Sequence, residues 1–193
     1  ENDKTIVAAS PKIIHGQMRN TIWWHGWYLS WDFYKFHKMM NLKNSRIYDD
    51  KSFSGIKVTD SITGCCSIYK ASALKLSGLG DEEFFFGPED FDLSFRLKKF
   101  GKLVVNLNIK TFHLLTQSSK VSGWLSRSYY ECKGFLILIK KHGNFFDKLI
   151  GYLYFILRIP YFIILLILNK REKSKVYGYC LGCIDFFLNR KLK

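Results

Sequence analysis

Three carboxylates, Glu89, Asp90 and Asp92, are packed into one stretch, Phe84-Phe85-Phe86-Gly87-Pro88-Glu89-Asp90-Phe91-Asp92-Leu93-Ser94-Phe95-Arg96. A Gly-Pro turn precedes them, and the residues that follow repeat at helical spacing. Phe91 and Phe95 sit four apart, while Leu93, Leu97 and Phe100 fall at i, i+4 and i+7. This predicts a helix with one wide apolar face. Asp92 and Arg96 are spaced for an i,i+4 ion pair. Lys98 and Lys99 fall in the last turn, where the dipole favours cations, and Gly101 is placed as a C-terminal cap. A helix anchored by that face would hold Glu89 and Asp90 at a rigid lip, as a general base requires. Acidic residues also gather at helix N-termini because the dipole stabilises them, so this stretch alone fits either role.

A second candidate region is aromatic. Four of the five tryptophans, Trp23, Trp24, Trp27 and Trp31, lie within Ile22–Trp31. Such rings can hold the apolar C–H face of a sugar, and they equally fill cores and membrane interfaces. Trp24 and Trp27 are the candidates for sugar contact. Residues 32–55 are polar, basic and irregular, the composition of a loop.

The elements that must position these groups follow from hydrophobic pattern. Thr5-Ile6-Val7-Ala8-Ala9-Ser10, ended by Pro11 and extended by Lys12-Ile13-Ile14, reads as a buried strand of a parallel sheet. Lys57 to Lys70 reads as another strand, and Gly64 inside it suggests close approach by a backbone or a ligand. Ala71 to Leu76 reads as a short helix. Lys102 to Leu107 reads as a strand, with Thr111-Phe112-His113 at its far side. Cys65 and Cys66 are adjacent on the predicted strand and cannot easily pair with each other. Cys180 and Cys183 form a lone C-x-x-C, a weak metal signal for which small side chains on a helix are the alternative. Five cysteines, an odd number, suit a reducing cytoplasm.

Charge is unevenly spread. The net charge is +14, and residues 144–193 carry 9 Lys and Arg against 3 Asp and Glu, so the basic excess is densest around the most apolar run. That pairing points to an anionic membrane surface rather than to nucleic acid, for which no motif is present. Trp124 to His142 reads as an amphipathic helix with Arg127, Lys133, Lys140 and Lys141 on its polar side. Leu149 to Leu168 is nearly all apolar, broken by Arg158 and Pro160. About twenty apolar residues can span a bilayer, but a central arginine costs about 2.5–3.5 kcal/mol there. A span, a helix lying in the interface, a re-entrant hairpin and a buried hairpin covering the sheet all fit. Lys170, Arg171, Lys173 and Lys175 follow, and Cys180 to Leu188 is a second apolar stretch.

The order of these pieces resembles the C-terminal half of a family 2 glycosyltransferase with the GT-A fold, nearest the bacterial rhamnosyl- and galactofuranosyl-type subgroup. The most specific match is Gly80-Asp81-Glu82-Glu83-Phe84-Phe85-Phe86-Gly87-Pro88-Glu89-Asp90-Phe91-Asp92-Leu93-Ser94-Phe95-Arg96 through Gly101. It is similar to the family's "G-x-D-E-x-F-F-x-x-x-E-D-x-D-L-x-x-R-x-x-x-x-G". The strand from Val7 to Lys12, the segment Thr63-Gly64-Cys65-Cys66-Ser67-Ile68 and His113 complete the likeness, which covers about residues 1–142.

The resemblance implies an α/β fold, the C-terminal part of a GT-A, Rossmann-like mixed sheet flanked by helices, with C-terminal membrane-associating helices. Residues 1–122 would form the partial catalytic domain and 123–193 the docking tail. It implies transfer of a sugar from a nucleotide-sugar donor to a saccharide or lipid-linked acceptor, in cell wall or polysaccharide biosynthesis, at the cytoplasmic face of the cell membrane. Asp90 matches the general base, and Glu89 its acidic neighbour that helps hold the acceptor. Gly64, with Thr63 beside it, matches the acceptor cleft, and His113 matches a histidine that ligates the divalent metal, magnesium or manganese, in some members. The family places its nucleotide-binding half and an Asp-x-Asp motif upstream. Neither is present in this chain, since Asp90-Phe91-Asp92 has the spacing but matches the other motif. The expectation is therefore a fragment or truncated product that is inactive by itself. A non-catalytic, membrane-associated binding or scaffold protein is the alternative.

Overall fold

The computed structural model describes residues 3–26, 47–114, 123–168 and 172–190. It is a mixed α/β structure, and it separates into two compact units. One comprises Glu1–Asp81 and Asp90–Gln117, the other Glu82–Glu89 and Ser118–Lys193.

The first unit is built on a mixed sheet of β1 (Ile6–His15), β2 (Thr21–Trp24), β3 (Ile47–Tyr48), β4 (Ile56–Thr59), β5 (Ile68–Tyr69) and β6 (Lys102–His113). The order is β3-β2-β1-β6-β4, and β5 also pairs with β1. β1 is central, parallel to β6 and antiparallel to β2 and β5. Its continuous apolar run matches that position, with Val7, Ala8, Ile13 and Ile14 all buried. Two helices follow within the sheet's connections, α1 (Ala71–Ser77) and α2 (Glu89–Leu97).

Pro11 lies inside this central strand, where a residue with no N–H breaks the ladder. The register jumps there: Pro11 pairs with Asn106, but Lys12 pairs with Lys110. Three residues of β6, Leu107 to Ile109, are skipped in this pairing, and the first two find other partners. Leu107 N donates to Gly55 O at 2.8 Å, and Gly55 N donates to Asn108 Oδ1 at 2.9 Å. So β6 does not end at Leu107, and Thr111-Phe112-His113 is its continuation. Beside the bulge, the Lys12 side chain is only 2% exposed and donates to Asp49 Oδ1 at 2.5 Å and Phe53 O at 2.8 Å. Lys110 pairs with the other Asp49 oxygen. A shallow cavity of about 410 Å³ opens here, lined by Lys12, Asp49, Lys110 and their neighbours.

The predicted strand from Lys57 to Lys70 is realised only at its ends, as β4 and β5. Between them Thr63, Gly64 and Cys65 sit in an irregular turn. Gly101 also differs from expectation. Its φ is not left-handed, and a Cβ there would lie 2.2 Å from Thr5 O. Close backbone approach, not capping, requires glycine at this position.

The second unit contains α3 (Trp124–His142), α4 (Phe145–Ile167) and α5 (Lys173–Phe187). Asn144 caps α4: its side chain accepts from Asp147 N at 2.9 Å, and Asp147 Oδ2 accepts from Asn144 N at 2.9 Å. The helix runs on through Pro160. α5 meets α3 through Gly178 and Gly182, one turn apart. A Cβ at these positions would stand 2.3 Å from Leu125 O and 2.7 Å from Tyr129 O. That close approach brings Cys183 Sγ to 3.4 Å from Cys132 Sγ, both buried. The C-x-x-C is thus partly accounted for by packing. Tyr129, Leu136 and Phe155 are almost wholly buried, each stabilising the bundle by about 1.5–3 kcal/mol.

Candidate active site

Asp90 is the second residue of α2, and it is half-buried. Its Oδ2 accepts from Gly64 N at 2.8 Å. A Cβ on residue 64 would lie 2.6 Å from Asp90 Oδ1, so glycine is there because the carboxylate rests on it. The expectation of close approach at Gly64 is met by Asp90 itself. Thr63 is buried, and its hydroxyl also bonds the carboxylate. Thr63 thus holds the acid in place.

The turn carrying Gly64 is fastened to α2 a second time. Ser94 Oγ donates to Asp90 O at 2.5 Å and accepts from Ile62 N at 3.0 Å. These bonds replace the ladder that a strand would have formed, which explains the irregular backbone. Below them, Asp92 is buried and takes Arg96 Nε at 2.9 Å and Nη2 at 2.7 Å, the expected i,i+4 pair. Arg96 Nη1 also donates to Ser77 O at 2.6 Å and Gly78 O at 2.9 Å, fixing the end of α1.

Burial pushes the Asp90 carboxyl above its ordinary value, and the Gly64 N–H and Thr63 hydroxyl oppose the rise without cancelling it. Among the described residues no lysine, arginine or histidine forms an ion pair with it. A carboxylate that is desolvated yet without a cation is a better proton acceptor near neutral pH than an ordinary one. Glu89 precedes it at the first position of α2, half-buried, and is counted with the helical unit.

His113 ends β6 and is half-buried. Its ring lies 4.7 Å from the Trp23 ring, and its Nε2 is 3.9 Å from Cys65 Sγ. Cys65 follows Gly64, so one turn joins the Asp90 contact to the His113 contact. Burial pushes the Cys65 thiol up, and the nearby Asp90 charge adds to this. That disfavours the thiolate, and with it a cysteine nucleophile. Among the described residues no group of three or more His, Cys, Asp and Glu side chains could hold a metal. His113 alone does not make the oxygen-rich set that magnesium takes.

Trp24 lies in the hydrophobic core at 4% exposure. Trp27 lies outside the described residues. Trp23, 38% exposed and against His113, is an aromatic that sequence reasoning missed. Alternation along β2 was the available signal: with Trp24 inward, Trp23 must face the other side.

The aromatic lead-in to α2 has its own role in the helical unit. Pro88 sits on Gly134, where a Cβ would come within 2.7 Å of Pro88 Cγ. The Phe85 ring is 4.5 Å from Tyr130, and the Arg127 guanidinium and Lys141 ammonium lie 5.4 Å from the Phe86 and Phe84 rings. Lys141 also pairs with Glu83. Gly87 turns with φ +110°, open only to glycine at low cost. Phe84 to Pro88 is therefore seated on α3 within that unit.

Compared with known proteins, the chain matches no family model and no curated sequence.

Proposed function

We propose that the protein transfers a sugar from a nucleotide-sugar donor to a hydroxyl of a saccharide or lipid-linked acceptor, with inversion, on a GT-A-type scaffold. The acceptor oxygen forms a bond to the anomeric carbon. The bond from that carbon to the diphosphate breaks, the nucleoside diphosphate leaves, and the hydroxyl proton passes to Asp90. Gly64 N and Thr63 fix the carboxylate, Trp23 offers an exposed apolar face against His113, and Glu89 assists acceptor binding. The observation that carries this reading is a desolvated carboxylate tied to a backbone N–H at the start of a packed helix, with no ion pair to it among the described residues.

The described residues offer His113 as the one ligand candidate for the divalent cation that the resemblance implies, so no step here depends on a metal. Loss of turnover on chelation, restored by magnesium or manganese, would establish that requirement. The site of action on this reading is the cytoplasmic face of the membrane.

The decisive experiment supplies the product of the complete gene with nucleotide sugars and membrane-lipid or oligosaccharide acceptors. Asp90→Asn lowers transfer about 10²–10⁴-fold, the range for a lost general base, with circular dichroism unchanged. A second reading, a membrane-associated scaffold without catalysis, draws support from the exposed apolar surface of α4. It predicts no transfer by the unaltered protein and no effect of Asp90→Asn on binding.

A further inference from the structure

Within the helical unit, the described residues leave the outer side of α4 uncovered. Leu149, Leu153, Leu157, Ile164 and Ile167 are all exposed, the last at 73%. From Leu149 to Leu168 the only charged residue is Arg158. In the structure Arg158 does not interrupt the apolar side. Its Nη1 donates to Tyr154 OH at 2.6 Å, and its guanidinium lies 5.0 Å from the Tyr154 ring, 4.9 Å from Phe162 and 5.9 Å from Tyr179 of α5. The cation is sheltered in an aromatic cage on the side that faces α5. Twenty residues at about 1.5 Å each make an uncharged stripe about 30 Å long, equal to a bilayer's hydrocarbon thickness.

Length alone would permit crossing, but α4 is not a lone helix. Gly151 packs on Ile139 of α3, where a Cβ would lie 2.9 Å away, and Tyr179 OH donates to Phe155 O at 2.9 Å. α3 carries the Arg127–Glu131 pair and Lys133 along its middle turns. A bundle that crossed the bilayer would take those charges into hydrocarbon. The basic residues also lie at both ends of α4: Lys140 and Lys148 at its start, Lys173 at the start of α5, with Lys170 and Arg171 adjoining in sequence. A crossing helix carries its positive excess on one side of the membrane. One lying flat presents both ends to the same anionic leaflet.

We infer that α4 docks lengthwise on an anionic lipid leaflet, its outer face sunk among the acyl chains and its two basic ends on the headgroups. This deepens the proposed function by assigning a surface for the membrane that holds a lipid-linked acceptor, and it rests on that part of the reading alone.

The test is flotation of the complete gene product with vesicles of phosphatidylcholine, or of equimolar phosphatidylcholine and phosphatidylglycerol. The expected result is binding to the mixed vesicles, weakened by salt and about tenfold or more weaker for Leu157→Asp. Tyr48→Asp, in the sheet unit, leaves binding unchanged and controls for general surface change. Lys148→Cys and Leu168→Cys both react with a membrane-impermeant maleimide from outside intact vesicles, read peptide by peptide. Protection of either one until lysis would overturn the flat orientation. Equal binding to both vesicle types, or no binding with self-association through α4, would overturn the anionic-lipid assignment. Asp90→Asn floats like the unaltered protein, so failure of docking and failure of catalysis are separately visible.

Discussion

Two carboxylates in the sheet unit, both drawn out of water, have opposite surroundings. At the Pro11 bulge, Asp49 lies between Lys12 and Lys110. Burial pushes its carboxyl up, but the two ammonium groups more than reverse this and hold it below the usual range. At the Gly64 turn, Asp90 has a backbone N–H and a hydroxyl and, among the described residues, no paired cation, and its carboxyl stays above its ordinary value. Neutralisation by lysine makes a carboxylate a structural tie. Desolvation without a cation leaves one able to accept a proton. The same residue type serves the fold in one place and, on our reading, chemistry in the other.

The contrast is most sharply broken by amide substitution. Asp49→Asn leaves the Lys12 charge buried without its partner and should cost roughly 3–5 kcal/mol of stability, measured by denaturant unfolding. Asp90→Asn keeps an oxygen for the Gly64 N–H and removes a desolvated charge. It should leave stability at pH 7 unchanged or raised, a pattern expected where function and stability compete. A destabilised Asp90→Asn would mean that Asp90, too, is a structural tie.

Gly64→Ala ranks next. The added Cβ would meet the Asp90 carboxylate at 2.6 Å, so either the carboxylate or the turn must move. Overpacking of this kind costs about 1–3 kcal/mol, and displacement of the base should cut transfer further. Unchanged transfer with unchanged stability would show that the contact does not hold the base.

The pH dependence is the smallest effect and has opposite signs at the two sites. Asp49, with its folded value depressed, contributes stability at neutral pH that is lost as pH falls through that value. Asp90, with its folded value raised, binds its proton more tightly when folded. The fold therefore loses stability as pH rises from the ordinary carboxyl value through the raised one. Unfolding curves across acid pH for Asp49→Asn and Asp90→Asn should diverge from the unaltered protein in those opposite directions. Transfer should fall as pH drops through the raised Asp90 value.

Much of this was readable from residue spacing. The helix from Glu89 with its Asp92–Arg96 pair, the buried strand through Val7, and the amphipathic helix from Trp124 to His142 follow from local periodicity. What escaped depends on partners far along the chain. Lys12 reads only as part of the extension of the buried strand, and nothing local shows that Asp49, thirty-seven residues on, neutralises it. The stretch from Asp60 to Ser67 reads as strand, but its donors go to Ser94 and Asp90. Cys183 reads as half of a C-x-x-C, whereas its neighbour is Cys132 on another helix. Arg158 reads as a break in an apolar run because sequence does not tell which side of a helix a neighbouring helix will cover.

Titration of the Asp90 side-chain carboxyl in the folded protein, followed by carbon-13 NMR with Asp90→Asn for assignment, tests the central claim most directly. A midpoint clearly above that of an ordinary aspartate is the predicted result. A midpoint at or below the ordinary value, alongside Asp49, would contradict it.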